Sequence, residues 1–216
     1  MKLENEIKKS SRVFIVGHNS PDFDAIGSAI GLSVLAQSFG KKAYIIIDDE
    51  PSKIEPGVKK IIDENRPNYN IITRSDFLKK TDGKSLLIVT DVNKQPMISV
   101  KDDLDKVGHI IIIDHHLEDQ TSIASPDKFI SIDSSSACEI VSRVLLNARV
   151  PFDSHVANYL LSGISLDTKR FKLNTTDKTH EVAEKLIKNG ADIDYVNNLF
   201  LEEFESYCRI SNLIIN

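Results

Sequence analysis

The sequence predicts an α/β domain: a mainly parallel sheet flanked by helices, with a helical C-terminal part. Three observations predict it. Apolar, β-branched runs such as "RVFIV", "LLIV" and "HIIII" have no polar face, so both sides of their sheet must be covered. Helix-period segments alternate with the early runs, as crossover connections between parallel strands require. Beyond about residue 135 only helix-patterned segments remain. A chain of 216 residues, 41% hydrophobic, is long enough to bury one large α/β core or two small ones.

Taken in order, "RVFIVGH" (12–18) is a buried strand stopped by Gly17, and "AIGSAIGLSVLAQSFG" (25–40) is a helix stopped by Gly40. A strand follows at 41–49, a partly helical stretch at 53–67 ended by Pro67, and a short strand at 69–73. Residues 85–93 and 109–116 are two strong strands, and 128–133 is a further short one. Helices are predicted over 135–148, 154–168, 178–191 and 192–203. Ser154 and Asp192 are suited to N-caps, and Gly190 to a helix stop. No repeat or low-complexity segment interrupts the chain, and "NARVPFDS" (147–154) is the one linker-like piece.

A net charge of −5 without a basic block argues against binding duplex DNA, yet leaves room for a small anionic ligand held by metal ions. Cys138 and Cys208 are too few for a disulfide framework and read as buried free thiols, as a reducing cytoplasm allows. No apolar run approaches the ~20 residues of a membrane helix, and "MKLENEIKKSS" lacks an apolar signal region. A soluble, cytoplasmic domain is expected, with a membrane anchor on a longer parent protein left open.

Parallel sheets place ligands beyond the carboxyl ends of their strands. Three predicted strand ends carry titratable groups: His18, Asp22 and Asp24 after the first, Asp91 after "LLIVT", and Asp114, His115 and His116 after "HIIII". Asp167 ends a run otherwise suited to a buried helix. Asp22, Asp24, Asp91 and Asp167 gathered on one sheet edge would repel one another unless divalent cations neutralised them. Mixed imidazole and carboxylate donors suit Mn²⁺, Mg²⁺, Fe or Zn²⁺, and the carboxylate excess favours the harder ions. The number of donors is natural for two metals bridged by an aspartate. Each piece alone also has a plain reading: His18 as a strand-end histidine, "PDFD" as a turn, Asp91 as a cap, Asp167 as a satisfied buried acid, "HH" as an inert surface pair. Joint placement favours the metal reading. His109 lies at the opposite strand end and reads as structural, His155 and His180 as helix-surface residues, and Asp48 and Asp49 as surface acids.

"GHNSPDFDAIGSAIGL", "VTDVNK", "IIIDHHLED" and "GISLDTKRF" follow the order of the four motifs of the DHH phosphoesterase superfamily, a resemblance spanning about residues 12–203. Within it the chain most resembles cyclic-di-AMP phosphodiesterases of the GdpP type, through "DFDAIGSAIGL", "GISLDTKRFKLNT" and "GADIDYVNNLFLEE". The resemblance implies a hydrolase with two divalent ions, usually Mn²⁺. His18 and Asp22 would hold one ion and Asp24, His115 and Asp167 the other, with Asp91 bridging. Asp114 would orient a histidine and His116 would face the substrate phosphate. Lys169 and Arg170, next to Asp167, are candidate phosphate contacts. The implied substrate is a small anionic nucleotide, cyclic-di-AMP cut to pApA. Oligoribonucleotides or pAp are the alternatives, as is a nucleotide-binding module with little activity. Departures are Asn93 where that group often has histidine, Glu118 and Asp119 where it often has basic residues, and Ala137 in "SSSACE" where threonine is usual. The family's glycine-rich C-terminal substrate domain is expected to lie outside residues 1–216. Residues 1–216 are therefore expected to form one catalytic domain, either a piece of a longer protein or a stand-alone half, and a homodimer is compatible with it.

Overall fold

The computed structural model describes residues 2–48 and 54–201. Six strands form one sheet: β1 (Val13–Val16), β2 (Ala43–Ile47), β3 (Ile71–Thr73), β4 (Leu86–Thr90), β5 (His109–Asp114) and β6 (Asp127–Ile130). Their order is β3-β2-β1-β4-β5-β6, and every pairing is parallel. Side chains of β1 alternate between two hydrophobic clusters. Val13 and Ile15 join Ile45, Ile88 and Ile111 on one side of the sheet. Phe14 and Val16 join Tyr44, Leu87, Val89 and Ile112 on the other. This two-sided burial is why the strands carry no polar face.

Helices α1 (Lys2–Lys9), α2 (Phe23–Ser38), α3 (Pro56–Asn65), α5 (Ala137–Asn147), α6 (Ser154–Asp167) and α7 (Asp177–Lys188) feed the first cluster; α4 (Arg74–Lys80) feeds the second through Phe77. Residues 193–201 form a further helix, α8. Gly40 and Gly190 follow α2 and α7 with φ of +73° and +95°, the left-handed turn that ends a helix. Asp192 accepts from the amides of Asp194 and Tyr195, as a cap should.

Several expectations need correction. α1 and α4 were not predicted. α1 buries only Leu3 and Ile7 in a charged stretch, and α4 only Phe77, too few apolar residues to show a period. The cap of α6 is Asp153, not Ser154; its carboxylate accepts from the Val156 amide at 2.9 Å. α2 begins at Phe23, before the expected residue 25, because Asp22 caps it. Asp49, Cys208 and the end of the helix expected over 192–203 lie outside the described residues.

The strand order reverses direction between β1 and β4, so the crevice beyond their carboxyl ends is the switch point where such sheets bind ligands. Glycines bring α2 and α6 close together above it. A Cβ on Gly27 would stand 2.4 Å from the Tyr159 carbonyl oxygen, and one on Gly163 2.7 Å from Asp24 Oδ1. Gly27→Ala should therefore lower stability. Better helix propensity gains about 1 kcal/mol, but the backbone clash costs about 3 kcal/mol. Urea unfolding should show a lower midpoint at similar slope; an unchanged or higher midpoint would contradict the close approach.

Candidate metal centre

The turn after each central strand delivers its titratable groups to one place. Val16 of β1 pairs with Val89 of β4, and Thr90 of β4 with Ile113 of β5, so the three strand ends lie side by side. Asp91, the first residue past β4, adopts φ +58°, a left-handed conformation that aspartate tolerates better than most residues. Its amide still donates to the Ile113 carbonyl at 3.0 Å. Its two carboxylate oxygens face opposite ways: Oδ2 lies 3.5 Å from His18 Nε2, and Oδ1 lies 3.4 Å from His115 Nε2.

Two groups form around it. On one side, His18 Nε2 is 3.6 Å from Asp22 Oδ2. Asp22 divides its work, because Oδ1 accepts from the amides of Asp24 and Ala25 and caps α2. On the other side, His115 Nε2 is 3.1 Å from Asp167 Oδ2 and 3.8 Å from Asp24 Oδ2. Asp24 is fully buried, with Oδ2 accepting from the Ala137 amide at 2.7 Å and Oδ1 from the Cys138 amide at 2.8 Å. The N-terminus of α5 thus points at a carboxylate of α2, a placement favourable to the anion. One ligand atom each from His18, Asp22 and Asp91 lies within 4.8 Å of the others, and the same holds for Asp24, His115 and Asp167.

Asp114 is buried, and its Oδ1 accepts from the His115 amide and pairs with His116 Nδ1, both at 2.8 Å. It therefore orients the His116 ring and the His115 backbone rather than the His115 ring. His116 is half exposed and lines a cleft of about 580 Å³ with His18, Asp22, Asp91, Asn93 and Lys94. A second cleft of about 420 Å³, lined by Ser134, Ser135, Asn174, Thr175 and Thr176, opens on the other side, and the two share His115 and Asp167.

The electrostatics show the strain of this crowding. Burial opposes charge on His18, but Asp22 and Asp91 outweigh it and push the imidazole up to about 10. Burial likewise opposes charge on His115, while Asp167, Asp91 and Asp24 carry it up to about 11. Burial would raise Asp91, yet His115 and His18 draw it down to about 2. Asp24 is driven well upward by burial, then by Asp91 and Asp167. Asp167 is raised by burial and by Asp91 against the pull of His115. Asp114, more than burial takes away, raises His116. Asp91 Oδ1 and His115 Nε2 are buried without a hydrogen bond of sound geometry. Lone pairs left unused at the meeting point of the two groups fit divalent cations, which would replace the imidazolium protons as the neutralising charge.

Other residues singled out in the sequence fall elsewhere. Lys169 and Arg170 are exposed and line neither cleft, and Arg170 lies over the Phe200 ring at 5.6 Å. Asp119 pairs with Lys94 at 2.6 Å and Glu118 with Lys128 at 2.5 Å, so the acids after "DHH" do not add free negative charge. Asn93 donates to the His116 carbonyl at 3.0 Å and accepts from Ser122, tying the β4 and β5 turns together. His109 pairs with Asp127 at 2.6 Å at the far end of β5. Cys138 is a buried free thiol as expected. The second cleft was not foreseen; "SSSACE" was the available signal.

A doubly wound parallel sheet with paired histidine–aspartate groups at its switch point defines a candidate dinuclear-metal α/β domain. The chain belongs to the DHH family: the model of the DHH family, N-terminal domain, matches residues 12–164. The cyclic-di-AMP phosphodiesterase PdeA of Listeria monocytogenes is 34% identical over 221 residues, covering 98% of this chain and 33% of its own length. A probable manganese-dependent inorganic pyrophosphatase of Streptococcus thermophilus is 32% identical over 180 residues, 82% of this chain and 55% of that protein. A crystal structure of an exopolyphosphatase-related protein from Bacteroides fragilis matches with a TM-score of 0.68 at 24% identity, over 92% of this chain and 58% of that one; it shows likeness of fold. The chain spans about a third of the length of the phosphodiesterase it matches. Among the described residues no helix is long and apolar enough to cross a membrane.

The raised histidines set a pH dependence for the metal-free protein. Folded values of about 10 and 11 lie above the ordinary 6.5. Their contribution to stability is thus fully present below about pH 6.5 and is lost as pH rises through 10 and 11. Unfolding free energy of the metal-free chain should fall more steeply between pH 7 and about 11 than that of a His18→Asn/His115→Asn variant. Parallel profiles from chemical denaturation would refute the assignment.

Proposed function

We propose that this domain is a metal-dependent phosphodiester hydrolase acting on a small nucleotide, with a cyclic dinucleotide cut to its linear form as the leading substrate. The observation that carries the reading is Asp91, which turns one oxygen to each of two histidine–carboxylate groups and leaves Oδ1 without a hydrogen bond. His18 and Asp22 would hold one divalent ion, Asp24, His115 and Asp167 the other, and Asp91 would serve both. Bound there, the ions would supply charge neutralisation for a phosphate and activation of water. Manganese is the favoured ion, on the oxygen-rich donor set and the printed name of the pyrophosphatase relative.

The chain's own residues supply the rest. Asp114 holds His116 by Nδ1, which leaves Nε2 for an occupant of the larger cleft. Because Asp114 raises the His116 pKa, the ring carries a proton more readily and can stabilise charge developing on a phosphate oxygen. Asn93 fixes the backbone of His116, so the ring is held from both ends. The two clefts meeting at His115 and Asp167 suit a substrate with groups on both sides of its reacting phosphate. The name of the Listeria relative supports a cyclic dinucleotide. We treat residues 1–216 as one catalytic domain and place it in the cytoplasm, where a free buried thiol such as Cys138 is stable.

The test is Mn²⁺-dependent hydrolysis of cyclic-di-AMP, pApA, pAp, a short oligoribonucleotide and pyrophosphate, run beside Mn²⁺-binding calorimetry. The wild type should cut at least one of the nucleotides. Asp91→Asn should lose about 10³-fold in rate together with high-affinity Mn²⁺ binding. Full activity in Asp91→Asn, or hydrolysis of pyrophosphate alone, would reject the reading.

A further inference from the structure

The buried carboxylate of Glu139 takes no part in the centre described above. Its Oε2 accepts three hydrogen bonds, from the Ser135 amide at 3.0 Å, the Ser135 hydroxyl at 2.7 Å and the Thr179 hydroxyl at 2.8 Å. Arg143 stands 3.9 Å from Oε1. A glutamate in the first turn commonly reaches back to the cap residue of its own helix. Here Ser136 is the cap of α5 and accepts from the Glu139 amide at 3.0 Å. The Glu139 side chain passes the cap, takes hold of Ser135, and crosses to α7. Thr179 is buried in the first turn of α7, where it forms a capping box with Thr176. One negative group therefore sits at the N-termini of two helices, favourable for both.

The segments that lead into those helices are the two walls of the smaller cleft. Ser134 and Ser135 stand on one wall, Asn174 and Thr176 on the other. Local capping of α5 accounts for the bonds to Ser135 but not for the bond to a residue forty positions away. Among the described residues the lining of this cleft has no cationic side chain besides His115, which it shares with the larger cleft; it carries Asp133 and Asp167 beside plentiful hydroxyl and amide groups. Such a lining suits sugar hydroxyls and a base edge better than a second phosphate.

We propose that Glu139 is a positioning residue that sets the separation of these walls, and so governs the grip on the nucleoside part of a nucleotide whose phosphate lies at the metal centre. The proposal rests on the nucleotide-hydrolase reading above. A different role is open to the same residue: Glu139 could steady α5 so that the Ala137 and Cys138 amides reach Asp24. That role would disturb phosphate binding as much as nucleoside binding, and the two can be separated.

The experiment titrates the Mn²⁺-loaded chain with AMP and with inorganic phosphate by calorimetry, and follows folding by circular dichroism. The wild type should bind AMP more tightly than phosphate. Thr179→Val removes the hydroxyl that reaches Glu139 together with the capping-box bond it accepts from the Thr176 amide, so Glu139→Gln, which leaves that box intact, is measured beside it. Thr179→Val should weaken AMP binding about fivefold while phosphate affinity changes less than about twofold. Thr179→Ser should restore the wild-type preference. Glu139→Gln should shift the same ratio in the same direction, and it carries the comparison if Thr179→Val does not fold. Equal weakening of both ligands, or unchanged AMP affinity in a folded variant, would overturn the proposal. A wild type with no preference for AMP would instead overturn the nucleotide reading beneath it.

Discussion

Four crowded carboxylates, three of them gathered around Asp91, set the terms for everything else in this molecule. Asp22, Asp24, Asp91 and Asp167 cannot all be charged in a half-buried crevice without compensation. The fold supplies part of that compensation itself. The first turn of α2 donates two amides to Asp22, and the first turn of α5 donates two to Asp24. His18 and His115 supply positive charge at the remaining oxygens, which is why both are pushed far up. Asp91 Oδ1 and His115 Nε2 face each other at 3.4 Å as an ion pair, yet neither makes a hydrogen bond of sound geometry. A structural ion-pair network would be expected to close such gaps, since each costs about 1–3 kcal/mol. Open positions of this kind suit the cation site proposed above.

The same requirement explains features that look unfavourable in isolation. Asp91 takes a left-handed backbone conformation, as do Lys169, Arg170 and Phe171 just beyond Asp167. Such residues cost of order 1 kcal/mol or more each and persist where the surroundings hold them. Thr168 provides that hold after α6: its buried hydroxyl donates to the Ile164 carbonyl at 2.7 Å and accepts from the Phe171 amide at 2.9 Å. Gly27 and Gly163 weaken two helix interiors, yet they let α2 and α6 approach until Asp24 and Asp167 flank His115. Local stability has been given up at the positions where the site gains geometry.

Much of this was legible in the sequence, for physical reasons that differ by element. β1, β4 and β5 were plain because their interiors are continuous apolar runs, and the titratable residues gathered in the candidate centre follow directly on those runs. Asp167 was legible as an acid closing an otherwise apolar helix. α1 and α4 were not, because short amphipathic helices bury one or two side chains and leave no period to read. The partners of Asp24 were also invisible, since Ala137 and Cys138 contribute backbone amides, and an amide has no sequence identity. Adjacency to Asp167 suggested Lys169 and Arg170 as phosphate contacts; the left-handed turn leaves both exposed and outside the two clefts, with Arg170 over the Phe200 ring.

The two clefts bear on which phosphate compound the centre would accept. A pyrophosphate or polyphosphate presents charge on both sides of the bond to be cut, and recognition of that charge calls for cations on both sides. Here the larger cleft has Lys94, already paired with Asp119, together with His18 and His116. The smaller cleft offers serine, threonine and asparagine with the acid Asp133. An anionic group entering that side would meet Asp133 with only the shared His115 to offset it, whereas a sugar and base would meet donors and acceptors at little electrostatic cost. The asymmetry thus supports a substrate that is charged at one end of the crevice and neutral at the other. A nucleoside attached to a phosphate has that distribution; an inorganic polyphosphate does not.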